Sequence, residues 1–286
     1  MDVPFFWVDV FADRPLTGNP LSLVPDADPL DEATMRAIAR EFNQSETTFL
    51  VSPADERAEV RLRSFTPDGS EVFGAGHNAM GAWLWLADAG RVAAGRSYVQ
   101  KIGDDLLPVR VTREDGRVSV SMDQSPALFT PGPAETAPLA AALGVPEAVI
   151  VGRPEVGSTG AEHLLVPLVS TDAVDAARPD TRALKAVLAG AGAEGCYVYT
   201  TSGAAAAYAR FFNPTVGIAE DAATGTAAGP LAARLVRDGE AVAGVPTLIE
   251  QGHALGRPSL ISVTVDNARV TISGSGVVTA SGALRL

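Results

Sequence analysis

The residues of this chain able to do chemistry are few: three histidines, one cysteine, and carboxylates standing where polar loops meet apolar segments. Glu46 is one such carboxylate. It follows Asn43-Gln44-Ser45 and precedes the β-branched, apolar run Thr47-Thr48-Phe49-Leu50-Val51. A helix giving way there to a strand would bury Glu46 in part. Burial raises a carboxyl pKa toward neutrality, which suits a base that takes a proton and gives it back. A capping or ion-paired glutamate fits the same spacing. His77 follows Gly76 at the start of an apolar segment, a place for a general acid or a substrate donor. A positive helix end there favours the neutral ring. Asp221 stands just before a second such segment, as a cap or as an acid–base group. Gly76-His77 and Gly225-Thr226 both read as helix starts whose first N–H groups are unpaired and open to an anion. The plainer reading is that each glycine only allows a tight turn into its helix.

Other chemistry finds little support. His163 opens the apolar run Leu164-Leu165-Val166 and reads as a strand or loop residue, and His253 lies in a turn. No histidine pair has ligand spacing, so no metal site is expected. Cys196, in Gly195-Cys196-Tyr197-Val198-Tyr199, reads as packing in a buried strand. There is no phosphate loop, no Gly-x-Ser-x-Gly elbow, and no complete dinucleotide-binding glycine pattern. No cofactor is expected. The formal net charge of −12 repels nucleic acid and anionic membranes. Neither a basic leader nor an apolar run of about 20 residues is visible, so the default expectation is a cytoplasmic protein.

Strands are expected at residues 5–11, 21–24, 47–51, 57–65, 106–112 and 118–122. Met35, Ile38, Ala39 and Phe42 recur at helical spacing behind Asp31, a plausible N-cap. Residues 74–87 are apolar nearly all round and too short to span a bilayer, which reads best as a helix enclosed by its own domain. Residues 126–138, rich in proline and small side chains, read as a linker. Beyond them, helices are expected at 139–143 and 180–188, strands at 148–151, 163–168, 195–199 and 207–212, and a second apolar helix after Gly225.

The halves repeat each other. Aligning Gly76 with Gly225 sets Glu71 on Glu220, and Arg63-Ser64-Phe65-Thr66-Pro67 matches Arg210-Phe211-Phe212-Asn213-Pro214. Each copy runs strand, proline turn, acid, glycine, apolar helix. The expected fold is α+β, with two pseudo-symmetric domains, residues 1–125 and 126–286. Each is a curved, mostly antiparallel sheet around a central buried helix. The C-terminal strand is free to return to the first domain.

Taken together, these motifs resemble the PhzF-like family of phenazine biosynthesis, which shares the diaminopimelate epimerase fold. The resemblance rests on Val8-Asp9-Val10-Phe11 with Leu16-Thr17-Gly18-Asn19-Pro20, and on Asn43-Gln44-Ser45-Glu46-Thr47-Thr48-Phe49. It continues through Phe65-Thr66-Pro67, Glu71-Val72, Gly76-His77 and Gly81, then through residues 217–231. It implies an isomerase that needs no cofactor, with Glu46 transferring the proton and His77 and Asp221 as further active-site groups. Gly76 and Gly225 would supply backbone donors and Thr226 a hydroxyl, while Ser45 and Asn19 would contact the substrate. The substrate implied is a small carboxylate-bearing metabolite with an unsaturated or hydroxylated ring, held in a cleft between the domains of a homodimeric protein. Ala75 and Thr224 stand near the places where related epimerases carry two opposed cysteines, which disfavours a two-thiol mechanism. The alternative is a non-catalytic small-acid binding protein on the same fold.

Overall fold

The chain turns on caps and tight turns that the sequence announces. In the computed structural model, which describes residues 1–286 except the side chain of Glu114, contacts group the chain into two units. One is Met1–Asp123 with Ser273–Leu286, and the other is Gln124–Ile272.

The first unit opens with β1 (Asp2–Val10) and β2 (Asn19–Val24). Gly18 between them has φ +70°, and a Cβ there would sit 2.3 Å from the Val10 carbonyl oxygen, so the turn requires glycine. Helix α1 (Glu32–Phe42) starts where the Asp31 carboxylate accepts from the Thr34 N–H and ends at Asn43 in the left-handed region. Next come β3 (Thr47–Val51), β4 (Val60–Phe65) and the short β5 (Glu71–Val72). After α2 (His77–Asp88), the unit continues through β6 (Arg96–Ile102), β7 (Asp105–Glu114) and β8 (Arg117–Gln124).

Strand β1 pairs antiparallel with β2, β2 parallel with β3, β3 antiparallel with β4, β4 parallel with β6, and β6 and β7 antiparallel with their successors. The C-terminal strand, Arg269–Arg285, pairs with both β1 and β8. The pairings therefore close into a barrel-like ring. Every residue of α2 from His77 to Ala87 is buried, as a helix apolar on nearly every side requires. The helix lies so close to the sheet that a Cβ on Gly81 would sit 2.6 Å from the Leu21 side chain. The indole N–H of its Trp83 is met inside, donating to Gln100 Oε1 at 2.8 Å. Met35, Ile38 and Ala39 of α1 pack with Phe49 and Phe65 in a second core.

The second unit contains β9 (Leu128–Pro131), α3 (Ala137–Leu143), β10 (Glu155–Ser158), β11 (Glu162–Pro167), α4 (Thr171–Ala176) and α5 (Thr181–Ala191). It goes on through β12 (Gly195–Thr200), β13 (Ala207–Asn213), β14 (Ile218–Asp221), α6 (Gly225–Arg237), β15 (Thr247–Gln251) and β16 (Ser259–Asp266). The C-terminal strand is then β17. Pairing from β10 to β16 repeats that from β1 to β7 in order and direction, including the two parallel pairs, β11 with β12 and β13 with β15. Leu139, Leu143, Val174, Leu184 and Leu188 pack the helices against Val198 and Phe212.

Three local readings change. Residues 126–138, read as a linker, contain β9, which pairs with β10, and the start of α3. Residues 148–151, read as a strand from their apolar content, hold a 3-10 turn at Glu147–Val149 and one isolated bridge, Ile150 to Leu168. Strand β6 was not anticipated because its sequence, Arg96-Ser97-Tyr98-Val99-Gln100-Lys101-Ile102, has little apolar alternation.

Candidate active site

In the first unit, the parallel pairing of β2 with β3 puts their N-terminal ends on one edge, with Ser22 opposite Thr47. Asn19, buried, begins β2, and Glu46 immediately precedes β3. The left-handed residue at Asn43 reverses the chain after α1 and delivers Ser45 and Glu46 to the start of α2. There His77 lies between them. Ser45 Oγ is 3.4 Å from His77 Nε2, and Glu46 Oε2 is 3.6 Å from Nδ1. Burial pushes the His77 pKa down to about 4. Near neutral pH the ring is therefore uncharged and its approach to Glu46 is no ion pair. At 3.6 Å the contact is longer than a hydrogen bond, a distance that catalytic pairs close when substrate binds.

The N–H of Gly76, expected as a backbone donor for an anion, is engaged within its own loop and donates to Asn78 Oδ1 at 2.7 Å. The Asn78 amide donates in turn to Gly74 O and Ser64 Oγ. Asn78 thus braces the α2 start, a task invisible in a sequence that shows only a polar residue in an apolar helix.

The second unit has the same layout with different groups. Asp221 ends β14, and its Oδ2 accepts from Thr224 Oγ1 at 2.5 Å. Gln251 frames the turn. Its Nε2 donates to Asp221 O and Thr224 Oγ1, and its Oε1 accepts from the Thr224 N–H and the buried Tyr197 hydroxyl. Burial, aided by the Asp221 charge, holds the Tyr197 phenol above its usual range. Gly225 is buried, and its carbonyl accepts from Gln124 Nε2 at 3.0 Å. Thr226 alone is not buried between Ala222 and Leu235. Its hydroxyl lies 3.0 Å from Nε2 of His163, which stands edge-on to Phe211.

His163, Gln251, Tyr197 and Thr224 were not marked as site residues from sequence. The available signal for His163 was a lone ionisable group heading an apolar strand, which usually means a packed core histidine. Cys196 is fully buried, and burial pushes its thiol pKa up, so it is held protonated and inert.

Known proteins are similar to this one along the whole chain. A profile of the phenazine biosynthesis-like protein family matches residues 8–282. The trans-2,3-dihydro-3-hydroxyanthranilate isomerase of Pseudomonas fluorescens is 36% identical, with 98% of each chain covered. A phenazine biosynthesis protein of the PhzF family from Bacillus anthracis has the same fold, with a TM-score of 0.92, 25% identity and full coverage of both chains. A predicted epimerase from Pseudomonas aeruginosa matches with a TM-score of 0.87 and 34% identity over 99% of each chain. With profile, relatives and fold agreeing from end to end, the chain belongs to the phenazine biosynthesis-like, or PhzF, family and is an isomerase of a small molecule.

Proposed function

We propose that this isomerase works without a cofactor, moving a proton within a ring carboxylate of the trans-2,3-dihydro-3-hydroxyanthranilate type, with Glu46 as the group that carries it. The observation behind this reading is the placement of Glu46 Oε2 at 3.6 Å from a neutral His77 at the start of α2. As a carboxylate, Glu46 removes a proton from a ring carbon. The electron pair left behind spreads through the adjoining double bonds, and the carboxylic acid just formed returns the proton to another carbon on that path. Formula and charge are unchanged. His77, held neutral, and Ser45 supply polar contacts to the reacting part of the ring without adding a competing charge. Asn19 lies at the same edge of the sheet. Asp221, Gly225 and Thr226 at the start of α6 hold the substrate's acid group and amine. The same reading takes the chain to be a cytoplasmic homodimer, as the family resemblance implies.

The test is incubation of the protein with trans-2,3-dihydro-3-hydroxyanthranilate, followed by proton NMR in deuterated water. Isomerisation with solvent label in the product is expected unless the abstracted proton returns before it exchanges. Glu46→Gln keeps shape and hydrogen bonding but cannot shuttle the proton, so turnover should drop by about 10²–10⁴-fold while binding persists. Near wild-type turnover by Glu46→Gln would remove Glu46 from this role. Binding without turnover by the wild-type chain would favour a small-acid binding protein.

A further inference from the structure

We propose that His163 is a positioning residue, donating from Nε2 to the Thr226 hydroxyl and so leaving that hydroxyl's own proton for the acid group of the substrate. The proposal rests on the reading that the start of α6 takes the substrate's carboxylate. His163 is 2% exposed, and its Nε2 lies 3.0 Å from Thr226 Oγ1. Among the described residues, its Nδ1 has no hydrogen-bond partner. A neutral imidazole carries one proton, on one nitrogen or the other. With the proton on Nδ1, a buried N–H is stranded and Thr226 must spend its proton on Nε2. With the proton on Nε2, the stranded group is only a lone pair. Orphaned buried N–H groups are the rarer and dearer case. The surroundings of Nδ1 agree. A Cβ built on Gly195 would lie 3.2 Å from Nδ1, so the Cα–H side of Gly195 faces that nitrogen. A C–H is a fitting neighbour for a lone pair and a poor one for a second hydrogen.

The internal repeat supplies an independent observation. Each central helix starts beside one hydroxyl–imidazole pair. In the first unit the hydroxyl comes from Ser45 before β3 and the imidazole from His77 on the helix. In the second, the imidazole comes from β11 and the hydroxyl from Thr226 on the helix. In both pairs the imidazole is buried and the hydroxyl is the less buried member, and the exchange moves that hydroxyl from the loop before β3 in the first unit to the helix in the second. At α6 that group is Thr226, the residue left unburied.

Two measurements on the full-length chain test the proposal. Two-bond proton–nitrogen correlation spectra of protein labelled with nitrogen-15 histidine should show His163 protonated on Nε2 near neutral pH; the Nδ1–H tautomer overturns the proposal. The second is a double-mutant cycle read by calorimetric binding of anthranilate, which carries a ring carboxylate and amine but no proton to shift. Thr226→Val and His163→Leu should each weaken binding by about 10-fold, the usual effect of one hydrogen bond to a charged group. His163→Gln, which keeps an N–H donor, should recover most of the loss. In the Thr226→Val background, His163→Leu should add nothing. A further loss of similar size there means that His163 acts through general packing, which overturns the proposal. Unchanged binding by Thr226→Val defeats the reading of the α6 start itself. Weak binding by Thr226→Val beside normal binding by His163→Leu defeats this proposal alone.

Discussion

His77 and His163 are both buried beside the start of a central helix, and in both burial brings the pKa from 6.5 to about 4. This carries a consequence for stability. Between those values the unfolded chain binds protons that the folded chain refuses, so folding is favoured less as pH falls. The two rings add no pH dependence above about 7. Below it, stability should drop progressively from pH 6.5 to pH 4, by an amount on the order of a few kcal/mol per ring. Urea midpoints at pH 7.5, 5.5 and 4.5 check this, and His163→Gln should show a smaller drop than the parent chain. For activity the sign is different in kind. Burial keeps His77 neutral near pH 7, so a limb of the rate profile near neutrality is expected to come from another group.

At the scale of elements, each unit ties its last strand before the central helix with a guanidinium–carboxylate fork. Arg63 of β4 holds Glu71 of β5 at 2.8 and 2.7 Å, and Arg210 of β13 holds Glu220 of β14 at 2.8 and 2.8 Å. Each guanidinium also lies over the phenylalanine two residues on, Phe65 or Phe212, at 5.1 and 5.0 Å. The forks differ in what remains when the carboxylate is removed. Arg210 spends its other nitrogen on the Val174, Asp175 and Ala177 carbonyls around the end of α4 and has no second carboxylate at hand among the described residues. Arg63 also reaches Glu32 of α1 at 2.7 Å. A buried pair is weak evidence of net stabilisation, yet stranding one member is strongly unfavourable. Glu220→Ala should therefore cost about 3–5 kcal/mol, and Glu71→Ala no more than about 2 kcal/mol, because Arg63 keeps a partner near solvent. Denaturant titration of the two variants decides the order.

At the scale of the molecule, β17 belongs to two neighbourhoods in turn. Its first residues lie in the second unit, and from Ser273 onward it lies in the first. There it pairs with β1 from Val10 opposite Gly276 to Asp2 opposite Arg285, with a bulge between Trp7 and Val8. The ring around α2 therefore closes only when the last segment of the chain arrives. Deleting residues 276–286 should strip amide protection from β1 and expose tryptophan in α2, while the strands β11 to β13 keep theirs. Hydrogen exchange read by mass spectrometry separates these outcomes, and unchanged protection in β1 would refute the dependence.

The sequence by itself determined what is local or periodic. The Asp31 cap and helical spacing specify α1, and the apolar run from Ala79 to Ala87 specifies an enclosed helix. The match of Arg63 and Glu71 to Arg210 and Glu220 specifies a repeat, and the polar-to-apolar step at Glu46 specifies a half-buried acid. Tertiary structure alone decided which polar groups became partners. The Gly76 N–H went to Asn78, Gln251 went to the Asp221 turn, and His163 went to Thr226 across 63 residues of chain. Strands such as β6 and β15 also became legible only as neighbours, because their pairing with β4 and β13 overrides a weak pattern of their own. The physical reason is the same in each case. Propensity and periodicity are carried by adjacent residues, whereas a buried hydrogen bond is chosen by whichever donor and acceptor the closed sheet brings within about 3 Å of each other.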